Sequence, residues 1–196
     1  MKSKMITKTI NGIELQLETS APLFSPTCVD MGTLAMLSIC ELSAGDKLLD
    51  LGCGYGVVGI YAAKLIGAQN VVMTDSNPLA VTIATKNAVS NGVGEIHTAI
   101  SDGFRDITEA GFTHILSNPP YHADFSVPKH FIEKGFNRLV IGGHMYMVTK
   151  RKDWYKNKLT AIFGGVQVHE IDGYFVFCAQ KRSAHYSKAS KKVGRR

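Results

Sequence analysis

Short apolar runs alternate with segments whose apolar residues recur at helical spacing, and this pattern predicts a series of βα units. A strand at 47–51 ends in a glycine loop, and a strand at 71–74 ends at Asp75. A weaker strand is expected at 96–100 and further strands at 112–116 and 144–149, with helices near 33–42, 56–66, 77–91, 128–139 and 152–163. Repeated units of this kind define the α/β fold class, with a mainly parallel, Rossmann-like sheet covered by helices on both faces.

Two hairpins are predicted at the ends of this series. Alternating residues flank Asn11-Gly12 near the N-terminus, and residues 166–171 and 174–179 flank Asp172-Gly173 near the C-terminus. The closing pair adds antiparallel strands, which makes a seven-stranded sheet in total. We therefore expect a single domain over residues 1–182, in which residues 1–22 form an N-terminal hairpin extension.

Charge distinguishes the last residues from the rest of the chain. Residues 182–196 hold six Lys or Arg and no acid, and removing these six from the 22 basic residues leaves 16, equal to the 16 acidic residues. Residues 183–196 are expected to be a basic, flexible tail. Such a tail can attract RNA without reading its sequence, or it can be a solvated end that aids solubility.

Composition excludes several other classes. No apolar run approaches the roughly 20 residues that span a bilayer, and the N-terminus lacks the apolar core of a signal peptide. Cys28, Cys40, Cys53 and Cys178 form no CxxC pair, so neither a zinc site nor a redox dithiol is expected. We expect no metal, no membrane partner and a cytoplasmic location. The pattern leaves the oligomeric state open.

The stretch LLDLGCGYG, residues 48–56, is the first candidate binding motif. Gly52, Gly54 and Gly56 follow a buried strand and precede a helix, an arrangement that brings backbone close to a nucleotide-like ligand. Residues 54–59 also match GxGxxG, and Asp75 follows Gly54 by 21 residues. Taken alone, these features are compatible with a nicotinamide dinucleotide.

Acidic residues at three strand ends favour a different ligand. Asp50 can face a cation, Asp75 can accept from two ribose hydroxyls, and Asp102 can accept from an adenine amine. S-adenosylmethionine (SAM) carries all three groups, and strand ends are where open α/β sheets bind ligands. Ser76, Asn77 and Ser101 adjoin these acids and are assigned to the same site.

The tetrad Asn118-Pro119-Pro120-Tyr121 is the candidate catalytic element. Its prolines stiffen a loop at a strand end, and the Asn118 side chain offers a carbonyl acceptor beside the expected methyl group. Such acceptors can grip a planar NH₂ group and aim its lone pair, while Tyr121 can stack on the flat group that bears it. His122 follows and can orient substrate or lie in the loop without a role. An ordinary Asn-Pro-Pro turn is the alternative.

Together these motifs resemble known families. DLGCGYG with Asp75 and Asp102 resembles motif I and the later acidic motifs of class I SAM-dependent methyltransferases, and NPPY resembles the [ND]PP[YF] motif of amino-methyltransferases. Adding Phe24-Ser25, Asp30-Met31-Gly32-Thr33, NPPYH and GYFVFCAQK, residues 23–181 resemble the small-methyltransferase (MTS) domain of RsmC-like 16S rRNA guanine amine methyltransferases.

This resemblance implies a SAM-dependent enzyme that methylates an exocyclic amine of a nucleobase in RNA, with guanine in ribosomal RNA as the leading substrate. It also implies that Asp30, Gly32 and Thr33 help close the SAM pocket, with Asn118 at the junction of cofactor and amine. The best-known members carry an additional N-terminal domain, where this sequence has a short hairpin. Three alternatives stay open: protein glutamine methylation, adenine methylation in RNA or DNA, and RNA binding without catalysis.

Overall fold

In the computed structural model of this chain, residues 3–119 and 124–187 are described. The elements in chain order are β1 (Ser3–Ile10), β2 (Ile13–Ser20), α1 (Met31–Ile39), β3 (Leu48–Leu51), α2 (Val57–Ile66), β4 (Val71–Asp75), α3 (Pro78–Ser90), β5 (His97–Ile100), β6 (Phe112–Ser117), α4 (Ser126–Arg138), β7 (Leu139–Thr149), α5 (Asp153–Phe163), β8 (Gln167–Ile171) and β9 (Tyr174–Gln180). The predicted α/β class is confirmed.

A seven-stranded sheet has the strand order β5-β4-β3-β6-β7-β9-β8. Strands β3 to β7 run parallel, whereas β9 is antiparallel to both β7 and β8. Successive strands move outward from β3 to β5, and the chain then returns to place β6 on the other side of β3. This reversal opens a crevice at the carboxyl ends of β3 and β6, the place where such sheets bind ligands.

Helices cover both faces of the sheet, and each face has its own hydrophobic core. One core joins the buried residues of α1, α2, α3 and the N-terminal hairpin. The other joins those of α4 and α5 and includes the fully buried Phe112, Phe136 and Phe177. None of the described helices is long and apolar enough to cross a membrane.

The hairpin β1–β2 is a separate sheet that packs against α2 and α3. Its turn at Asn11-Gly12 has positive φ at both residues, as the predicted two-residue turn requires. Leu15 and Leu17 are fully buried in the core of that face. The hairpin therefore shares a core with the sheet domain.

Two predicted boundaries are wrong. The first helix begins at Met31 because the Asp30 side chain accepts from the Thr33 amide, and it ends at Ile39, before the predicted Leu42. Strand β7 begins at Leu139 and runs through Gly142-Gly143, which we expected to precede it. Gly142 adopts φ 92° beside a register shift, and glycine at 143 leaves room for the carbonyls of the neighbouring strand β6.

Candidate active site

A cavity of about 360 Å³ lies at the carboxyl ends of β3, β4, β5 and β6. This volume falls in the range of small-molecule sites. Most of the predicted cofactor residues line it: Asp30, Thr33, Asp50, Gly52, Gly54, Asp75, Ser76, Asn77, Ser101, Asp102 and Asn118. The fold thus gathers residues from five separate segments around one space.

The glycine loop wraps around the end of β4. The amides of Gly52 and Cys53 both donate to the Thr74 carbonyl at 2.8 Å. Gly52 and Gly54 have φ of 80° and 55°, with open space where a Cβ would stand. Any side chain there meets the strain of a left-handed backbone, so glycine keeps this turn tight and the cavity wall thin.

The Asp75 carboxylate is fixed by the same loop. Its Oδ2 accepts from the Gly54 amide at 2.9 Å, and its Oδ1 accepts from the Asn77 amide at 2.9 Å. Each oxygen has two lone pairs, so one on each oxygen remains for a ligand. Two parallel acceptors of this kind match a pair of neighbouring ribose hydroxyls.

Asp50 is buried at the end of β3, with 3% of its surface exposed. Its Oδ2 accepts from the Gly59 amide at 2.8 Å. Burial raises the pKa of this carboxyl to about 7, and the nearby Asp75 charge adds to the rise, against the Gly59 hydrogen bond. A buried acid at a cavity wall favours a cationic ligand, because the cation compensates for the carboxylate's lost hydration.

Asn118, at the end of β6, is held by residues that lie more than 80 positions earlier. Its Nδ2 donates to Asp30 Oδ2 at 2.8 Å and to Thr33 Oγ1 at 2.9 Å. A carboxylate only accepts, so this contact fixes which end of the amide points toward Asp30. The Asn118 Oδ1 is buried and has no hydrogen-bond partner among the described residues. The network therefore leaves a buried carbonyl acceptor unused on a residue that lines the cavity.

The loop after β5 is braced internally. Ser101 Oγ donates to the Gly103 carbonyl at 3.0 Å and accepts from the Asp106 amide at 3.1 Å, so its hydroxyl is already used. The Asp102 carboxylate lies 3.4 Å from Arg105, and 70% of its side chain is exposed. Asp102 lines the cavity, but an adenine amine would have to compete with Arg105 and water for its oxygens.

Gly32 and Gly56 do not line the cavity and serve packing instead. A Cβ at Gly32 would stand 2.7 Å from the Tyr174 ring and 2.9 Å from Asp30 Oδ2. Gly56 begins α2 with φ 95°, where a Cβ would stand 3.2 Å from Ala84. Gly59 is close-packed in the same way, because a Cβ there would meet Met73 at 2.3 Å.

The proline loop is only partly described. Pro119 is buried and lines the cavity beside Asn118. Pro120, Tyr121 and His122 lie outside the described residues, so their predicted roles stay predictions.

Several apolar residues of the wall were missed by sequence reasoning. Leu23, Val57, Val58, Ala80, Val127 and Phe131 line the cavity, and so do Phe24 and Tyr55. Tyr55 lies inside the glycine motif, and its hydroxyl donates to the carbonyls of Ser25 and Cys28 at 3.4 and 3.2 Å. The hydroxyl, shared between these two carbonyls, holds the segment after β2 against the cavity. The only sign of this role in the sequence was an aromatic residue between two glycines.

The described residues form no candidate metal site. In the described part of the chain, no three His, Cys, Asp or Glu side chains group in a way that could hold a metal ion. The four cysteines are free thiols. Burial raises the pKa of Cys40 to about 12, so this thiol stays protonated at neutral pH.

The cavity and its acids thus define a Rossmann-like ligand-binding domain. Comparison with known proteins identifies the family to which this domain belongs. The chain belongs to the methyltransferase small domain family, whose pattern it matches over residues 14–178. This membership confirms the predicted family, the small-methyltransferase (MTS) domain.

Two similar relatives have longer chains than this one. The chain is 35% identical over 158 residues to ribosomal RNA small subunit methyltransferase C of Hahella chejuensis, covering 79% of this chain and 46% of that protein. It is 30% identical over 180 residues to ribosomal RNA large subunit methyltransferase G of Alteromonas mediterranea, covering 86% and 44%. The chain therefore spans about half the length of these relatives.

One solved structure is similar over nearly the whole chain. This is the T. thermophilus 16S rRNA N2 G1207 methyltransferase RsmC in complex with AdoMet and guanosine. The two structures superimpose with a TM-score of 0.83, and their sequences are 27% identical. The matched region covers 92% of this chain and 51% of the T. thermophilus chain.

Proposed function

We propose that this chain transfers the methyl group of SAM to an exocyclic amine of a nucleobase in RNA, with guanine in ribosomal RNA as the leading substrate. The observation that carries the proposal is the Asn118 network. The amide NH₂ is bound by Asp30 and Thr33, while Oδ1 stays unused in the described residues beside the cavity that Asp50 and Asp75 line.

The residues of the cavity suit SAM. Asp75 offers two acceptors to the ribose, and Asp50 is a buried acid beside a site for a cation. When bound, SAM supplies an electrophilic methyl group on a positively charged sulfur. Leu23, Val127 and Phe131 give apolar walls that exclude water around it.

Asn118 would act by orientation and electrostatics. Its Oδ1 accepts one N–H of the target amine, and because Asp30 and Thr33 fix the amide, the acceptor needs no reorganisation during reaction. An exocyclic amine is a poor nucleophile because its lone pair is delocalised into the ring. A hydrogen bond to its N–H favours a tetrahedral nitrogen and aims the lone pair at the methyl carbon. The transfer would exchange the S–CH₃ bond for an N–CH₃ bond, S-adenosylhomocysteine would be the leaving group, and the methylated nitrogen would release its proton to water.

Guanine and ribosomal RNA are the finer parts of the proposal. They are supported by the relatives named for ribosomal RNA methylation and by the guanosine in the T. thermophilus complex. These relatives act on both ribosomal subunits, so the modified nucleotide stays open. A cytoplasmic location stays a prediction.

The test is methyl transfer from labelled SAM to total RNA, followed by mass spectrometry of the digested nucleosides. We expect N2-methylguanosine to appear with the wild-type protein. Asn118→Ala should lower turnover about 100-fold while SAM affinity changes little, since it removes one preorganised acceptor. Methyl transfer to protein glutamine with none to RNA would reject the proposal, and label in N6-methyladenosine would replace guanine by adenine.

A further inference from the structure

Three consecutive cations follow β7, the neighbour of β6 in the sheet. Lys150, Arg151 and Lys152 are exposed and connect β7 to α5. Ser117 pairs with Met147 in the parallel ladder, so Thr149 is level with Pro119 and the cations follow at that end of the sheet. We call Lys150, Arg151 and Lys152 the basic triplet.

Each member of the basic triplet lies over an aromatic ring. Lys150 Nζ is 4.9 Å from the Tyr174 ring, the Arg151 guanidinium is 5.0 Å from the Phe125 ring, and Lys152 Nζ is 4.9 Å from the Phe175 ring. Phe125 in turn stacks on Trp154 at 4.5 Å with 22° between the rings. Cation–π contacts hold long side chains in place without neutralising their charge.

The rings connect the basic triplet to the reacting groups. Tyr174 packs directly on Gly32, next to the Asp30 carboxylate that holds Asn118. Phe125 lies two residues before Val127, which lines the cavity. The cations therefore stand at the rim from which a target base would reach Asn118.

Acids do not cancel this charge. Asp153 directly follows the triplet and Asp124 directly precedes Phe125, and neither acid forms an ion pair with the triplet in the described residues. Asp124 Oδ1 accepts from the Ser126 amide instead. The four ion pairs found in the described part of the chain all lie elsewhere.

We infer that the basic triplet is the phosphate-binding subsite for the RNA strand on either side of the target nucleotide. Proteins bind the phosphates of a nucleic-acid backbone with exposed Lys and Arg, and they stack bases on aromatic rings. The basic triplet and the rings beneath it offer both kinds of group. Phosphate contacts position the strand, and Asn118 then receives the displaced base. The inference rests on the proposed function and names where its substrate docks.

The test compares two triple variants with equal loss of charge. The first is Lys150→Gln/Arg151→Gln/Lys152→Gln. The control is Lys86→Gln/Lys134→Gln/Arg182→Gln, which removes two exposed lysines and one exposed arginine, none of which bonds to a described residue, from α3, α4 and the segment after β9. Binding of a guanine-containing single-stranded RNA probe about 12 nucleotides long is followed by fluorescence anisotropy, with S-adenosylhomocysteine present.

The triplet variant should bind the probe at least about tenfold more weakly than wild type, and its log–log salt slope should lose about two units. The control should change affinity less than about threefold. Lys150→Arg/Arg151→Lys/Lys152→Arg should bind nearly as well as wild type, since a backbone subsite reads charge. Unchanged SAM affinity in every variant shows that the fold is intact.

The outcomes separate this inference from the proposed function. If the wild type methylates RNA and both triple variants lose probe binding equally, the subsite is wrong and the function stands. If the wild type methylates no RNA but only the triplet variant loses probe binding, the triplet binds RNA backbone and the proposed function fails. Equal binding by all variants overturns the subsite whatever the wild type methylates.

Discussion

At the scale of single residues, burial changes the protonation of a carboxyl group in the candidate site. Asp50 carries a carboxyl whose pKa is raised to about 7 by burial. Its ionised fraction rises from about one-tenth at pH 6 to about nine-tenths at pH 8. A cationic ligand binds the ionised form better, so ligand binding and proton release are coupled at this residue.

We therefore expect SAM affinity to increase about tenfold between pH 6 and pH 8, measured by calorimetry. Asp50→Asn should bind SAM weakly and should lose this pH dependence. The sign for stability is opposite: the folded protein binds the proton more tightly than the unfolded chain, so this group's contribution falls as pH rises from about 4 through 7. Ligand-free Asp50→Asn should lack that fall. If SAM affinity and stability depend on pH in the same way in the wild type and in Asp50→Asn, Asp50 is not the group that titrates.

The pair of Asp30 and Asn118 gives a second test at this scale. Asn118→Asp sets a carboxylate against the Asp30 carboxylate, where the amide Nδ2 stood 2.8 Å from Oδ2. Turnover should fall about 100-fold at pH 8 and should recover partly at lower pH, as the pair takes up a proton.

Exchanging the two side chains controls for this result. Asp30→Asn/Asn118→Asp restores one amide facing one carboxylate, and Asn remains a favoured N-cap residue for α1. Turnover at pH 8 should return to within about tenfold of wild type. A double variant no more active than Asn118→Asp would mean that orientation of residue 118 by residue 30 is unimportant.

At the scale of elements, helix α3 binds the exposed edge of the hairpin with two asparagines. Asn87 accepts from the Glu18 amide at 2.7 Å and donates at 2.8 Å to the carbonyls of Glu18 and Tyr55. Asn91, one turn later, makes the equivalent pair of bonds to Gln16 at 3.1 and 2.7 Å. Side-chain amides thus replace the missing neighbour strand, and Asn87 also ties the glycine loop to the hairpin.

Asn87→Ala should lower the free energy of unfolding by about 3 kcal/mol, because it leaves buried backbone groups without partners. It should also weaken SAM binding, since the carbonyl of Tyr55 loses its donor. Asn91→Ala is the matched control, with a cost of about 1 kcal/mol, because water reaches its partners. Urea denaturation and calorimetry measure both effects. Equal costs would show that burial of Asn87 does not matter.

How far the sequence predicts these elements depends on the range of the interactions. Strands, hairpin turns and the glycine loop follow from local patterns, and the structure agrees within a few residues. The contact between Asp30 and Asn118 spans 88 positions, so no local pattern reveals it. Gly32 was assigned to the cofactor, but its close approach to Tyr174 depends on how α1 packs against β9. Side-chain exposure, as at Asp102, also depends on the assembled loops.

At the scale of the whole molecule, the segment after β9 leads away from the cavity. Ser187, the last described residue, donates from its amide to the carbonyl of Ile162, at the C-terminal end of α5. Helix α5 begins at the carboxyl end of β7, so its far end lies beside the amino ends of the strands. Tyr186 packs edge-on against Phe136 and donates to the Glu133 carbonyl at 3.0 Å.

Tyr186 and Ser187, which lie within the predicted tail at 183–196, thus contact helices α4 and α5. The remaining nine residues lie outside the described part of the chain and include Lys188, Lys191, Lys192, Arg195 and Arg196. Nine residues extend at most about 30 Å. Any charge they add to RNA binding begins on the side opposite the basic triplet.

Deleting residues 188–196 should therefore weaken binding of long structured RNA and lower its salt dependence, while SAM affinity and thermal stability stay unchanged. Binding of the short probe should change much less than in the triplet variant, because that probe occupies only the rim of the cavity. Tyr186→Ala is the complementary control: it removes the contact with Phe136 and should lower the midpoint of thermal unfolding without altering the salt slope. If the deletion and the triplet variant weaken the short probe equally, one diffuse basic field binds the RNA. A separate phosphate subsite at the active site is then unnecessary.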